Sequence, residues 1–147
     1  MRHDLMEALR EIVQNDPRYE LDAYLFLRES LDLAVRLFNK PTEGTARHVS
    51  GRELLEAVRQ HAIQEYGPLS FRVLQSWGVT RTENFGDIVF NMVEHGVLGK
   101  TDEDKKEDFR GIYDFSETFQ KPYLPAAEQG IRKRGNRRKA GPAVDPT

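Results

Sequence analysis

The sequence predicts a mainly α-helical (α+β) fold with one β-hairpin and a disordered basic C-terminal tail. Apolar residues recur at helical spacing over five stretches between residues 4 and 95. Gly78-Val79-Thr80 makes a tight turn between two of them, and apolar residues alternate over 109–115 as in a strand. Residues 50–115 have the order of elements of a winged helix, which is helix, turn, helix, turn, helix and hairpin.

Two N-terminal helices are predicted to precede this winged-helix-like segment. Asp4 and Glu7 have the spacing of a capping box, and Asn15-Asp16-Pro17 ends the first helix because proline disfavours a helical conformation in the residue before it. The second helix is predicted over 21–38 and is apolar around most of its circumference. Such a helix is central to a core or buried against a partner, so homodimerisation through it is one expectation.

The helices of the winged-helix-like segment have clear start and stop signals. Ser50 and Glu53 form a capping box, and Gly67-Pro68 ends the helix that they begin. A short helix follows, and Thr80 is predicted to cap the last helix, which runs over 81–95.

The hairpin is predicted from two apolar stretches, Val97-Leu98 and 109–115, joined by the polar loop 101–108. This loop, the wing, contains five acids and two lysines. A wing normally presses on the phosphate backbone, so an acidic wing argues against ordinary DNA docking. Beyond Ser116 the periodicity of helices and strands is lost.

Length and composition limit the class of protein. A chain of 147 residues predicts one domain, over 1–125, followed by the tail over 126–147. No apolar run approaches the length of a membrane-spanning helix and no signal peptide is found, so we expect a cytoplasmic protein without membrane contact. The absence of cysteine excludes disulfides and thiolate metal sites.

The charge divides between an acidic body and a basic tail. Residues 128–147 carry six bases and two acids, whereas residues 1–127 carry 16 bases and 22 acids. Phosphate contacts from the tail would make DNA or RNA binding steeply salt-dependent. The candidate residues are Arg132, Lys133, Arg134, Arg137, Arg138 and Lys139. The alternative is a solubilising tail with no dedicated partner.

The helix over 81–95 is the second candidate for nucleic-acid contact, because it stands where a recognition helix enters the major groove. Arg81, Asn84 and Asn91 suit base readout. Glu83 and Asp87 on the same helix do not suit a phosphate-lined groove. A solvated polar face is the favoured alternative for these residues.

No catalytic or metal site is predicted. No two of His3, His48, His61 and His95 have a recognised metal spacing, and His61 is predicted to be a partly buried helix residue. The sequence lacks the motifs of a serine nucleophile, a phosphate-binding loop and a dinucleotide-binding site. We therefore expect neither an enzyme nor a cofactor. A ligand pocket between the helix over 21–38 and the body is a weaker alternative.

The central block resembles a small bacterial family of conserved hypothetical proteins. The resemblance lies in Val49-Ser50-Gly51-Arg52-Glu53-Leu54-Leu55, Trp77-Gly78-Val79 and Phe90-Asn91-Met92-Val93, and it extends to about Pro125. It implies no active-site residues. The same block is similar to winged-helix proteins in pattern alone.

The first functional hypothesis is a non-enzymatic interaction module that binds an unknown protein through an apolar groove or the acidic wing. The alternative is a nucleic-acid-binding or transcription-regulatory protein that uses the helix over 81–95 and the basic tail. Fold alone does not decide between them, because one fold serves many kinds of partner.

Overall fold

The computed structural model describes residues 4–41, 48–99 and 106–125, and these residues form helices and turns without a β-strand. The five α-helices are α1 (Leu5–Asn15), α2 (Leu21–Leu37), α3 (Gly51–Tyr66), α4 (Ser70–Ser76) and α5 (Thr82–Glu94). Shorter helical turns span Gly67–Leu69, Lys106–Phe109, Ser116–Gln120 and Lys121–Tyr123. Within the described ranges, no helix has both the length and the apolar character needed to cross a membrane.

The predicted β-hairpin is wrong, and the winged-helix assignment falls with it. Val97 continues from α5 as a turn, its N–H donating to the carbonyl of Met92 at 2.8 Å. The stretch predicted as the second strand begins in a 3₁₀ turn at Phe109 and leads into a π-helical turn that starts at Ser116. Wing residues 101–105 lie outside the described residues.

Helices α2 and α3 form the centre of the fold and run in opposite directions. Lys40 Nζ pairs with Glu53 Oε1 at 3.2 Å near one end, whereas the rings of Phe26 and Tyr66 lie 6.3 Å apart near the other. The broad apolar surface of α2 packs against α1, α3 and α5. Homodimerisation through α2 stays a prediction.

Local sequence signals explain where the central helices begin and end. The Ser50 hydroxyl accepts from the Glu53 N–H at 3.1 Å, and the Ser50 N–H donates to Glu53 Oε1 at 3.0 Å, so the predicted capping box is confirmed. Helix α3 ends at Gly67 as predicted. Helix α5 differs, because Asn84 Oδ1 accepts from the Thr80 and Arg81 N–H groups in place of a Thr80 cap.

The turn between α4 and α5 packs against the loop between α1 and α2. Gly78 has a φ of +89°, and a Cβ there would lie 2.2 Å from the carbonyl oxygen of Arg18. The Glu20 N–H donates to the Trp77 carbonyl at 3.1 Å beside it. Glycine is therefore required at this turn, which brings the α1–α2 loop to the side of α5.

Residues 106–115, which we call the strap, cross the start of α3 and of α5. Phe109 is buried over two helical glycines, and a Cβ added to Gly86 would lie 3.1 Å from its ring. The buried Thr82 hydroxyl donates to the Phe109 carbonyl at 2.6 Å and accepts from the Ile112 N–H at 3.2 Å. Tyr113 Oη donates to the Leu55 carbonyl at 2.8 Å. The strap is held by contacts with both helices.

Candidate interaction surface

The two asparagines predicted to read DNA bases are partly buried and bonded within the fold. Asn84 Nδ2 donates to Tyr19 Oη at 3.1 Å. Asn91 Nδ2 donates to Tyr24 Oη and to Asp16 Oδ2, both at 3.0 Å. These amides therefore tie α5 to the α1–α2 loop. Arg81 is exposed at the start of α5.

A charged cluster, here called the clasp, fixes the α1–α2 loop to α5; its members are Asp16, Arg18, Tyr19 and Asp87. Arg18 lies 2.7 Å from Asp16 and 3.3 Å from Asp87, and Tyr19 Oη donates to Asp87 Oδ2 at 2.6 Å. The bond from Arg18 holds the pKa of Asp16 well below its usual range. Burial and the bond to Asp87 raise the pKa of the Tyr19 phenol. Neither group is poised for proton exchange near neutral pH, so the clasp fits a structural role.

The two histidines on or next to the helices of the body also have structural partners. His61 Nδ1 lies 2.8 Å from the Ser30 hydroxyl, and its ring stacks on Phe26 with centroids 4.3 Å apart. His95 follows α5 and its Nδ1 lies 2.9 Å from the Asn91 carbonyl. Among the described residues, no three His, Asp or Glu side chains are grouped as metal ligands would be.

A cleft of about 360 Å³ opens between the start of α3 and the strap. Its walls are formed by His48, Ser50, Gly51, Arg52, Glu107, Asp108, Arg110 and Ile112. Arg52 and Arg110 are exposed, and no carboxylate of the described ranges forms a salt bridge with either. His48 and Asp108 already interact with other groups. The cleft therefore presents two guanidinium groups to solvent.

Two consecutive apolar side chains are exposed where α2 ends. Leu37 is 39% exposed and Phe38 is 37% exposed. The ion pair from Lys40 to Glu53 joins this end of α2 to the first turn of α3, which forms one wall of the cleft. We call Leu37, Phe38 and the cleft together the α2–α3 surface.

The amino-acid sequence alone does not predict the α2–α3 surface. Helical periodicity assigns Phe38 to the core face of its helix, and only the neighbouring stop signal Asn39-Lys40-Pro41 indicates that this turn lies at a helix end. Arg52 and Arg110 are distant in sequence, and the packing of the strap brings them together. No local sequence pattern predicts that these two arginines line the same cleft.

The remaining predicted contacts, Arg132, Lys133, Arg134, Arg137, Arg138 and Lys139, lie outside the described residues. Their role in DNA or RNA binding stays a prediction, as does that of Arg81.

The chain was compared with protein-family models, curated proteins and solved structures, and none of the three comparisons found a match. The resemblance to a bacterial family of conserved hypothetical proteins stays a prediction. Any function must therefore be argued from the geometry of this chain.

Proposed function

We propose that this protein is a non-enzymatic interaction module that binds a protein partner through the α2–α3 surface. The observation that supports this proposal is the exposure of Leu37 and Phe38 at the end of α2, which an ion pair joins to the α3 wall of the cleft. The two arginines of that cleft form no salt bridge with a carboxylate of the described ranges. A single exposed apolar side chain is ordinary on a protein surface. Two adjacent exposed apolar side chains on the same surface as exposed guanidinium groups match the composition of protein interfaces, where aromatic residues and arginine are enriched.

Burial of this apolar pair by a partner supplies a driving force. Removing an apolar side chain from water contributes about 25 cal/mol per Å² of area. Arginine at the edge of the same surface adds orientation, since a guanidinium group donates two parallel hydrogen bonds only to a suitably placed planar acceptor such as a carboxylate. The apolar pair of the α2–α3 surface thus provides affinity, and its arginines provide selectivity for the partner.

A photo-crosslinking phenylalanine analogue at Phe38 tests the proposal in a lysate of the source cells. The control carries the same analogue at Leu69, which is apolar and 60% exposed in the turn after α3. We expect one protein to be cross-linked from Phe38 and not from Leu69. Because the control site is more exposed, non-specific capture would favour the control.

The identified partner is then titrated with the purified protein and with a Leu37→Ser, Phe38→Ser double variant. We expect the double variant to bind at least about tenfold more weakly, as loss of a buried apolar anchor does in other interfaces. Equal cross-linking from both positions, or an unchanged affinity in the double variant, would remove the proposal.

A further inference from the structure

We infer that the partner segment bound at the α2–α3 surface is acidic, with carboxylates that pair with Arg52 and Arg110 while its apolar side chains cover Leu37 and Phe38. This inference rests on the proposed function and specifies the chemistry of the partner.

The charges around Arg52 favour an external acidic partner. Glu53 is its neighbour on α3, but Glu53 Oε1 already accepts from the Ser50 N–H at 3.0 Å and lies 3.2 Å from Lys40 Nζ. Glu53 is therefore committed to capping α3 and to the ion pair with α2. Arg52 retains its charge for an external carboxylate, for which arginine provides a planar, two-pronged donor.

Arg110 is held beside the same cleft by the strap. The strap is fixed by the buried Thr82 hydroxyl, which contacts both the Phe109 carbonyl and the Ile112 N–H. Arg110 lies between these two anchor points, so its backbone is held beside the cleft. A held backbone reduces the conformational entropy that binding costs, although the long side chain must still be ordered.

Two acids of the cleft, Glu107 and Asp108, are exposed and repel an incoming carboxylate. Asp108 already interacts with another group, so Glu107 is the acid chosen for the test. Neutralising Glu107 should strengthen binding, whereas neutralising Arg52 or Arg110 should weaken it. A general effect of net charge would give the same signs, so an equal charge change outside the cleft is needed to identify pairing at this site.

The dimensions of the surface suit a short helical or extended segment. Phe38 lies two residues before Lys40, whose side chain reaches Glu53 in the first turn of α3. This ion pair joins the end of α2 to the α3 wall of the cleft. A cleft of about 360 Å³ has room for a few side chains of such a segment.

The probes are two synthetic peptides of about 15 residues, roughly four helical turns, with leucines on one face. One carries glutamate on its other face, and its twin carries lysine at the same positions. Each peptide is titrated by fluorescence anisotropy with the full-length protein. The variants are Arg52→Gln, Arg110→Gln, Glu107→Gln and the Leu37→Ser, Phe38→Ser double variant.

The matched control is Arg72→Gln. Arg72 is exposed on α4, which follows the opposite end of α3, and its loss changes the net charge by the same amount. The basic tail attracts the acidic peptide equally in all these proteins, so differences between variants report the α2–α3 surface.

We expect the glutamate peptide to bind more tightly than its lysine twin. Arg52→Gln and Arg110→Gln should each weaken it about fivefold, Glu107→Gln should strengthen it about twofold, and Arg72→Gln should leave it unchanged. Equal weakening by Arg72→Gln, a preference for the lysine twin, or no binding of either peptide would overturn the inference.

The apolar double variant separates this inference from the proposed function. If it weakens binding of both peptides while the arginine variants change nothing, the acidic partner is excluded and the protein-binding surface stands. If it changes the binding of neither peptide, the proposed surface fails as well.

Discussion

His61 shows at the scale of one residue how α2 and α3 are joined. Its ring stacks on Phe26 with an interplanar angle of 1°, and its Nδ1 lies 2.8 Å from the hydroxyl of the fully buried Ser30. Burial lowers the pKa of His61, and the carboxylates of Glu29 and Glu65 oppose this only in part. The folded state therefore favours the neutral imidazole.

The stability of the protein should fall as the pH drops below the unfolded-state histidine pKa of about 6.5, because the unfolded chain then binds a proton more readily than the folded one. Above that pH both states hold a neutral His61 and its contribution is constant. A His61→Gln variant keeps a hydrogen-bonding side chain but does not titrate, so it should lose this part of the pH dependence.

Urea unfolding of the two proteins at about pH 5 and about pH 7.5 measures the difference. Parallel pH dependences would contradict the role given to His61. Helical periodicity alone predicts His61 to be partly buried, and its side chain is 13% exposed. The Ser30 partner lies on another helix, so it could not be predicted from local sequence.

The starts and ends of helices can be predicted from the sequence, because they depend on residues within one turn of each other. Contacts between segments that are distant in sequence cannot be predicted in this way. The capping box of Ser50 and the end of α3 at Gly67 were both predictable, because each depends on neighbouring residues. Residues 109–115 of the strap are predicted to form a strand because their aromatic residues alternate, and this prediction is wrong. They instead fill separate sites, with Phe109 over Gly86 and Tyr113 against α3.

Thr82 is the buried polar residue that holds the strap on α5, and Thr82→Val tests this. Valine keeps the volume but leaves the Phe109 carbonyl and the Ile112 N–H without their partner, which should cost about 2 kcal/mol of unfolding free energy. Thr80→Val is the control, because Thr80 is exposed and its hydroxyl makes only a 3.4 Å contact with Asn84.

The control should change the unfolding free energy by less than about 0.5 kcal/mol, as surface substitutions usually do. Urea denaturation of both variants measures the comparison. Equal effects of the two substitutions would show that the buried hydroxyl does not hold the strap.

On the scale of the whole molecule, the chain has three chemically distinct regions. The clasp and its neighbouring amides join α1, α2 and α5 and leave their polar groups satisfied within the fold. The α2–α3 surface presents apolar and basic groups to solvent. The basic tail is known from sequence alone. Composition could predict the acidic body and the tail, whereas the α2–α3 surface depends on how the strap and two helix ends meet.

A backbone amide chemical-shift map of the full-length protein, recorded during titration with the glutamate peptide, tests where the peptide binds. Binding at the α2–α3 surface predicts that the largest shifts fall at residues 37–40, 51–53 and 107–112. Shifts concentrated at residues 132–139 would mean that the peptide binds the basic tail. Shifts concentrated around Leu69 and Tyr123, the other exposed large apolar residues of the described chain, would place the interface elsewhere. Either of these last two results would show that the α2–α3 surface does not bind the peptide.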